Sequence, residues 1–159
     1  MELEEFDQHP AEKKANVKSK MNSGNRQLKF RSKPVPLTKK EIKTMLAEEN
    51  FFDSKLYRDG RGFKNDFEEQ EDDKIVIDHA SGLTWQRSGS DKGTDFKGAK
   101  EYVHQLNQKS FSGHDDWRLP TLEEAMSLVE KTKNKEGLHI NSVFDKEQAW
   151  IITSDLHKG

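Results

Sequence analysis

No cysteine occurs among the 159 residues. That excludes a disulfide framework, thiolate metal sites and cysteine nucleophiles, and it fits a reducing compartment. No apolar run approaches the ~20 residues that a membrane-spanning helix requires. The opening Met1-Glu2-Leu3-Glu4-Glu5 lacks the basic start and apolar core of a secretory signal. The expectation is a cytoplasmic chain, or an extracellular one if a leader has been removed. Catalytic patterns are also missing. The six histidines are scattered without metal-ligand spacing, and Ser88, Ser90 and Ser112 have no nucleophile-elbow context. The glycines form no phosphate loop. The expectation is a chain that is not an enzyme, takes no cofactor and holds no metal.

Apolar residues are scarce, at 31%, while charged residues reach 35%. A wholly folded chain has more of the first and less of the second, which predicts a disordered part beside one domain. The net charge of −2 gives no general attraction to polyanions or acidic membranes and argues against nucleic acid as a partner. The mean hides a segregated pattern. Residues 11–40 carry ten Lys or Arg against the single acid Glu12, whereas residues 41–80 carry twelve acids against six bases.

Residues 1–36 show no sustained period of 3.6 or 2. They hold too few apolar groups to offset an ordering cost of roughly 1–2 kcal/mol per residue. They read as a disordered basic arm, either a solvated tail or a contact for an acidic partner. Residues 37–67 read as a short helix and an aromatic wrapping segment. Thr38 and Glu41 form a capping box, and Ile42, Met45 and Leu46 share one face. Phe51, Phe52, Phe63 and Phe67 then alternate with turn formers. Asp53, Asp59, Asn65 and Asp66 offer hard oxygens that a calcium loop would use, although their spacing matches no EF-hand.

Residues 68–159 read as the main domain. The β-branched run from Lys74 to Asp78 predicts a strand. His79-Ala80-Ser81-Gly82 makes the turn, and Leu83-Thr84-Trp85-Gln86 returns as the second arm of a hairpin. Trp85 is expected in the core. Phe96, Ala99, Tyr102, Val103 and Leu106 recur at three and four, predicting a helix over 95–109 packed on the hairpin. The densest stretch follows. Gly113, Asp115 and Asp116 suit a turn, and Pro120 pushes Leu119 toward an extended conformation. Thr121 and Glu124 make a second capping box. Trp117 is large enough to bury roughly 150–250 Å² as a core anchor. Arg118 either pairs with a carboxylate of the fold or faces a partner. The helix is expected from Leu122 to about Lys131. Lys131, Lys133 and Lys135 near its end are either a solvated terminus, favoured there by the helix dipole, or a ligand patch. Ala149 to Thr153 reads as a buried strand with Trp150 in the core.

Asp116-Trp117-Arg118-Leu119-Pro120-Thr121 resembles the signature of a bacterial family named after the C-terminal domain of Legionella collagen-like adhesins. Gly82-Leu83-Thr84-Trp85-Gln86 is similar to that family's Gly-Leu-Met-Trp-Gln, with Thr84 in place of methionine. The likeness runs from about Ile75 to Asp155. Gly82, Trp85, Trp117, Arg118, Pro120, Thr121 and Glu124 are the residues that carry it or support it structurally. Members continue with further strands, so residues 68–159 are either cut short or end early. A looser likeness is to formylglycine-generating enzymes, whose Arg-Leu-Pro-Thr also precedes a helix and whose chemistry needs cysteine thiolates.

Together these resemblances imply an α+β, C-type-lectin-like fold, with a small antiparallel sheet and two main helices behind the arm and the short helix. They imply a binding module that recognises a glycan or a protein surface, since the adhesin domains bind sulfated polysaccharides. Arg118, Lys131, Lys133 and Lys135 are the residues available for a sulfated ligand, with Asp115, Asp116 and Glu130 as opposing neighbours. The alternative is an intracellular protein-interaction or assembly module whose basic arm contacts an acidic partner.

Overall fold

A computed structural model describes residues 27–70, 72–147 and 149–159, together with the strand course of residues 12–14. The fold is α+β. Its centre is an antiparallel meander of β3 (Phe67–Glu69), β4 (Ile75–Asp78) and β5 (Leu83–Gln86). A further strand, β1 (Glu12–Lys14), runs antiparallel along the outer edge of β5. Val76 pairs with Trp85 and Ile77 with Thr84 across the hairpin. Gly82 closes that hairpin at φ +75°, where a β-carbon would be strained.

The sheet is covered on both faces, so β5 is buried at all four positions. Val76, Leu83 and Trp85 pack with Ala125, Leu128, Ile140, Val143, Phe144 and Ile151. Ile75, on the alternate face, packs with Leu106 and Trp117. Leu106 comes from α2 (Phe96–Gln108), whose N-cap Asp95 accepts the Gly98 amide. The expected helix is thus present, with Ala99 and Leu106 buried.

The elements before the meander belong to the same body. Thr38 caps α1 (Lys39–Glu48) in a complete capping box with Glu41. The Thr38 hydroxyl and amide hold the Glu41 carboxyl below the usual range. Leu46 joins Phe51 and Met126 in a third cluster, with Ile42, Phe30 and Phe63 against it. Gly60 is required by close approach, because a β-carbon there would lie 1.9 Å from the Phe51 carbonyl oxygen. Phe67 meets Phe144 edge to face at 5.3 Å.

Three sequence expectations change. Residues 27–36, expected as part of the disordered arm, are docked on the folded body. Phe30 inserts between Phe51 and Phe63, with ring centroids 5.7 and 5.0 Å away. One aromatic and one arginine anchor this polar stretch, a tertiary effect that local composition does not carry. The remainder of the proposed arm lies outside the described residues, apart from β1. The second change concerns the helix after Pro120. It is α3 (Leu122–Met126), shorter than expected, with Ser127 to Glu130 continuing as turns and irregular chain.

The third change is at residues 149–153, which form no strand. Ile151 and Ile152 are both buried but enter different clusters, the second with Ala99 and Leu119. Among the described residues no strand pairs with this segment, and the chain just after it is tied instead to the signature stretch, the Ser154 amide donating to the Pro120 carbonyl at 2.7 Å. Trp150 is left 47% exposed and is not a core residue. The chain then forms β6 (Leu156–His157), which pairs in parallel with β2 (Pro36–Leu37). No helix among the described residues is long and apolar enough to cross a membrane.

Candidate functional site

The signature stretch is built from local turns locked by long-range bonds. Ser110 and Ser112 both take positive φ, 45° and 49°, around the short 3-10 turn Phe111–Gly113. This turn brings the chain back under α2. The Trp117 amide donates to Asn107 Oδ1 at 2.6 Å, and Asn107 Nδ2 donates to the Trp117 carbonyl at 2.9 Å. The Trp117 indole donates to the Phe111 carbonyl at 3.1 Å and is 2% exposed. Trp117 is therefore a core anchor.

Arg118 is committed to the fold. Its guanidinium donates to both carboxylate oxygens of Glu124, at 2.8 and 2.7 Å, and to the Leu119 carbonyl at 3.2 Å. The Glu124 side chain is 1% exposed, against 30% for Arg118. The same carboxylate accepts the Thr121 amide at 2.9 Å, which completes the capping box of α3. Burial of Glu124 is tolerated because its oxygens meet a planar two-pronged donor and an amide.

A second cluster sits beside it and was not foreseen. Asp155 accepts both terminal nitrogens of Arg31 at 2.8 Å, the Val35 amide at 2.7 Å and the Leu122 amide at 2.6 Å. Arg31 also donates its Nε to Glu123 at 3.2 Å and its amide to the same side chain at 2.9 Å. Burial alone would raise the Asp155 carboxyl, but the Arg31 guanidinium and the two amides outweigh it and hold it below 3.8. The hydrogen bond to Asp155 raises Arg31 in turn, against the effect of burial. The Thr121 hydroxyl donates to the Arg31 carbonyl at 2.8 Å, so the two clusters share one helix start. Arg31 and Asp155 stand 124 positions apart, and no local pattern announces their meeting.

Lys131, Lys133 and Lys135 are each exposed on the turn after α3. That turn is held at its base by the Glu130 amide donating to the His139 carbonyl at 2.9 Å. At its tip, Asn134 donates its amide to the Leu138 carbonyl at 2.8 Å. Asn134 Oδ1 accepts the amides of Glu136 and Leu138, and Gly137 takes φ +80°. The Lys131 ammonium lies 6.0 Å from the Phe52 ring, which also packs on His139 at 5.1 Å. The three lysines are thus carried exposed on one defined turn, while Arg118 is engaged separately by Glu124.

Of the groups considered for calcium, Asp53 is engaged by local amides. Asp53 Oδ1 accepts the Lys55 and Leu56 amides at 2.8 and 2.5 Å. Among the described residues, no group of three or more His, Cys, Asp or Glu side chains could hold a metal ion. The buried Asp78 accepts the Asp66 amide at 2.9 Å, Asn65 Nδ2 at 3.0 Å and the Ala80 amide at 3.1 Å, and the Ser81 hydroxyl donates to it as well. It joins the start of β3 to the hairpin turn.

No curated protein and no solved structure matches the chain. A family model does match, over residues 74–158, from the residue before β4 to the last residue but one. Both halves of the signature lie inside that match, Gly82 to Gln86 in the hairpin and Asp116 to Thr121 before α3. The chain belongs to the family of the Lcl C-terminal domain.

Proposed function

We propose that the protein is a non-enzymatic, adhesin-related binding module, of C-type-lectin-like type, that recognises an anionic glycan through the turn bearing Lys131, Lys133 and Lys135. The observation that carries this reading is the geometry of the turn. Three ammonium groups at alternate positions are presented on a backbone fixed by Asn134 and by the Glu130–His139 bond. A rigid presentation lowers the ordering cost of binding. Clustered lysines supply the point charges that sulfate or carboxylate groups need. Arg118 acts here as a positioning residue, because its pairing with Glu124 fixes the start of the helix that leads to the turn.

The test is binding to an immobilised sulfated glycosaminoglycan at low and at physiological salt. Replacing Lys131, Lys133 and Lys135 together by alanine is expected to weaken binding at least tenfold, about 1.4 kcal/mol or more. Unchanged binding by that variant would reject the turn as the site. Binding lost instead when the lysines and arginines of residues 1–26 are neutralised would favour the alternative, a basic arm that contacts an acidic partner.

A further inference from the structure

We propose that the outer edge of β5 is a strand-acceptor site. The segment Glu12–Lys14 is its occupant within the chain and is displaceable by an extended segment of a partner protein. The partner segment would carry hydroxyl or amide side chains at alternate positions.

Leu83-Thr84-Trp85-Gln86 has no charge, no proline and no bulge, the usual devices that protect a sheet edge. Its residues are 5%, 1%, 0% and 5% exposed, so the strand is apolar in its surroundings and needs its backbone paired. The occupant is a three-residue strand of sequence Glu-Lys-Lys, with Lys13 opposite Thr84 and Lys14 opposite Leu83. Glutamate and lysine are among the residues depleted in strands, and a strand of three is short.

A second observation is independent of the first. Three buried side-chain atoms lack a hydrogen-bond partner among the described residues, and all three are on β5: Thr84 Oγ1, Trp85 Nε1 and Gln86 Oε1. Gln86 uses only its other end, Nε2, which donates to the Tyr102 hydroxyl. Thr84 and Gln86 are two residues apart and therefore share one face of the sheet. Side chains directly across from them in an added strand would reach them, and threonine pairs form such cross-strand hydrogen bonds. This defines the chemistry of the partner: an extended segment with Ser, Thr, Asn or Gln at every second position.

The connection permits exchange. Lys14 lies opposite Leu83, at the hairpin end of β5. The chain is anchored at that same end by the Leu28 amide donating to the Ala80 carbonyl at 3.1 Å and by Gln27 Nε2 donating to the His79 carbonyl at 3.3 Å. Residues 15–26 join these two points. Twelve residues span at most roughly 40 Å, so the covalent connection by itself does not hold β1 on the edge. Strand addition to a sheet edge takes its affinity from main-chain bonds and its selectivity from alternate side chains.

The experiment compares the full chain with its Lys13→Pro variant, which weakens β1 and leaves the folded body untouched. The probe is a capped peptide, Lys-Val-Thr-Val-Thr-Val-Lys, and the control peptide has alanine at both threonine positions. The variant is expected to bind the threonine peptide about tenfold more tightly than the parent chain. Amide shifts should concentrate at Leu83 to Gln86, and the alanine peptide should bind more weakly. Equal binding by both chains, or shifts that bypass β5, would overturn the proposal. Concentration-dependent self-association of the variant without peptide binding would also overturn it, by assigning the edge to a second copy of the chain.

Discussion

The guanidinium of Arg118 grips the carboxylate of Glu124 with two parallel hydrogen bonds, and that carboxylate is 1% exposed. Removing the arginine takes both of these hydrogen bonds away from a buried anion. Arg118→Ala is therefore expected to destabilise the fold by about 3 kcal/mol, at the low end for a broken buried pair because the guanidinium itself is 30% exposed. Arg118→Lys should recover part of that loss, since a single ammonium cannot reproduce the planar fork. Urea unfolding of the three proteins checks the order.

Asp155 gives the fold an acid-sensitive joint. Its carboxyl is held below the ordinary 3.8 in the folded chain. A depressed folded value means that the unfolded chain binds the proton first. The stabilisation is present above the unfolded value and is lost as pH falls through the folded one. Thermal midpoints measured between pH 6 and pH 2 should fall below about pH 4. Asp155→Asn should begin with a lower midpoint and show a shallower decline over the same range. It would also loosen the β2–β6 pair, because Asp155 holds the Val35 amide next to that pair.

Phe51 and Trp150 make a paired prediction. Phe51 is fully buried under α1, outside the residues that the family model matches. Phe51→Ala is expected to cost about 3–5 kcal/mol. Trp150 is 47% exposed, so Trp150→Ser should shift stability by no more than about 0.5 kcal/mol. Denaturant midpoints of the two variants would separate a domain that includes residues 37–67 from one that starts at the family match.

What was legible in the sequence was mostly local. Both capping boxes, at Thr38 and Thr121, rest on residues three apart, and both are present with all their bonds. The hairpin from Ile75 to Gln86 and the helix over Phe96 to Gln108 follow from periodicity and turn chemistry within single segments. Trp85 and Trp117 are core because an extended neighbour and a turn aim them there. Trp150 sits beside Ala149, Ile151 and Ile152, a more apolar setting than that of Trp117, yet it is 47% exposed. The two isoleucines after it divide between two clusters, which no window on the sequence contains. Arg118 carried two readings, and only its partner in space, the buried Glu124, chooses between them. Arg31 and Asp155 were illegible for the same reason, since each needs the other across nearly the whole chain.

The most direct test of the account is an amide NMR titration of the full chain with a sulfated glycosaminoglycan oligosaccharide. The account predicts shifts gathered at Glu130 to His139, with Trp117, Arg118 and Glu124 unmoved. A response centred on Arg118, or a folded body that does not respond at all, would contradict it.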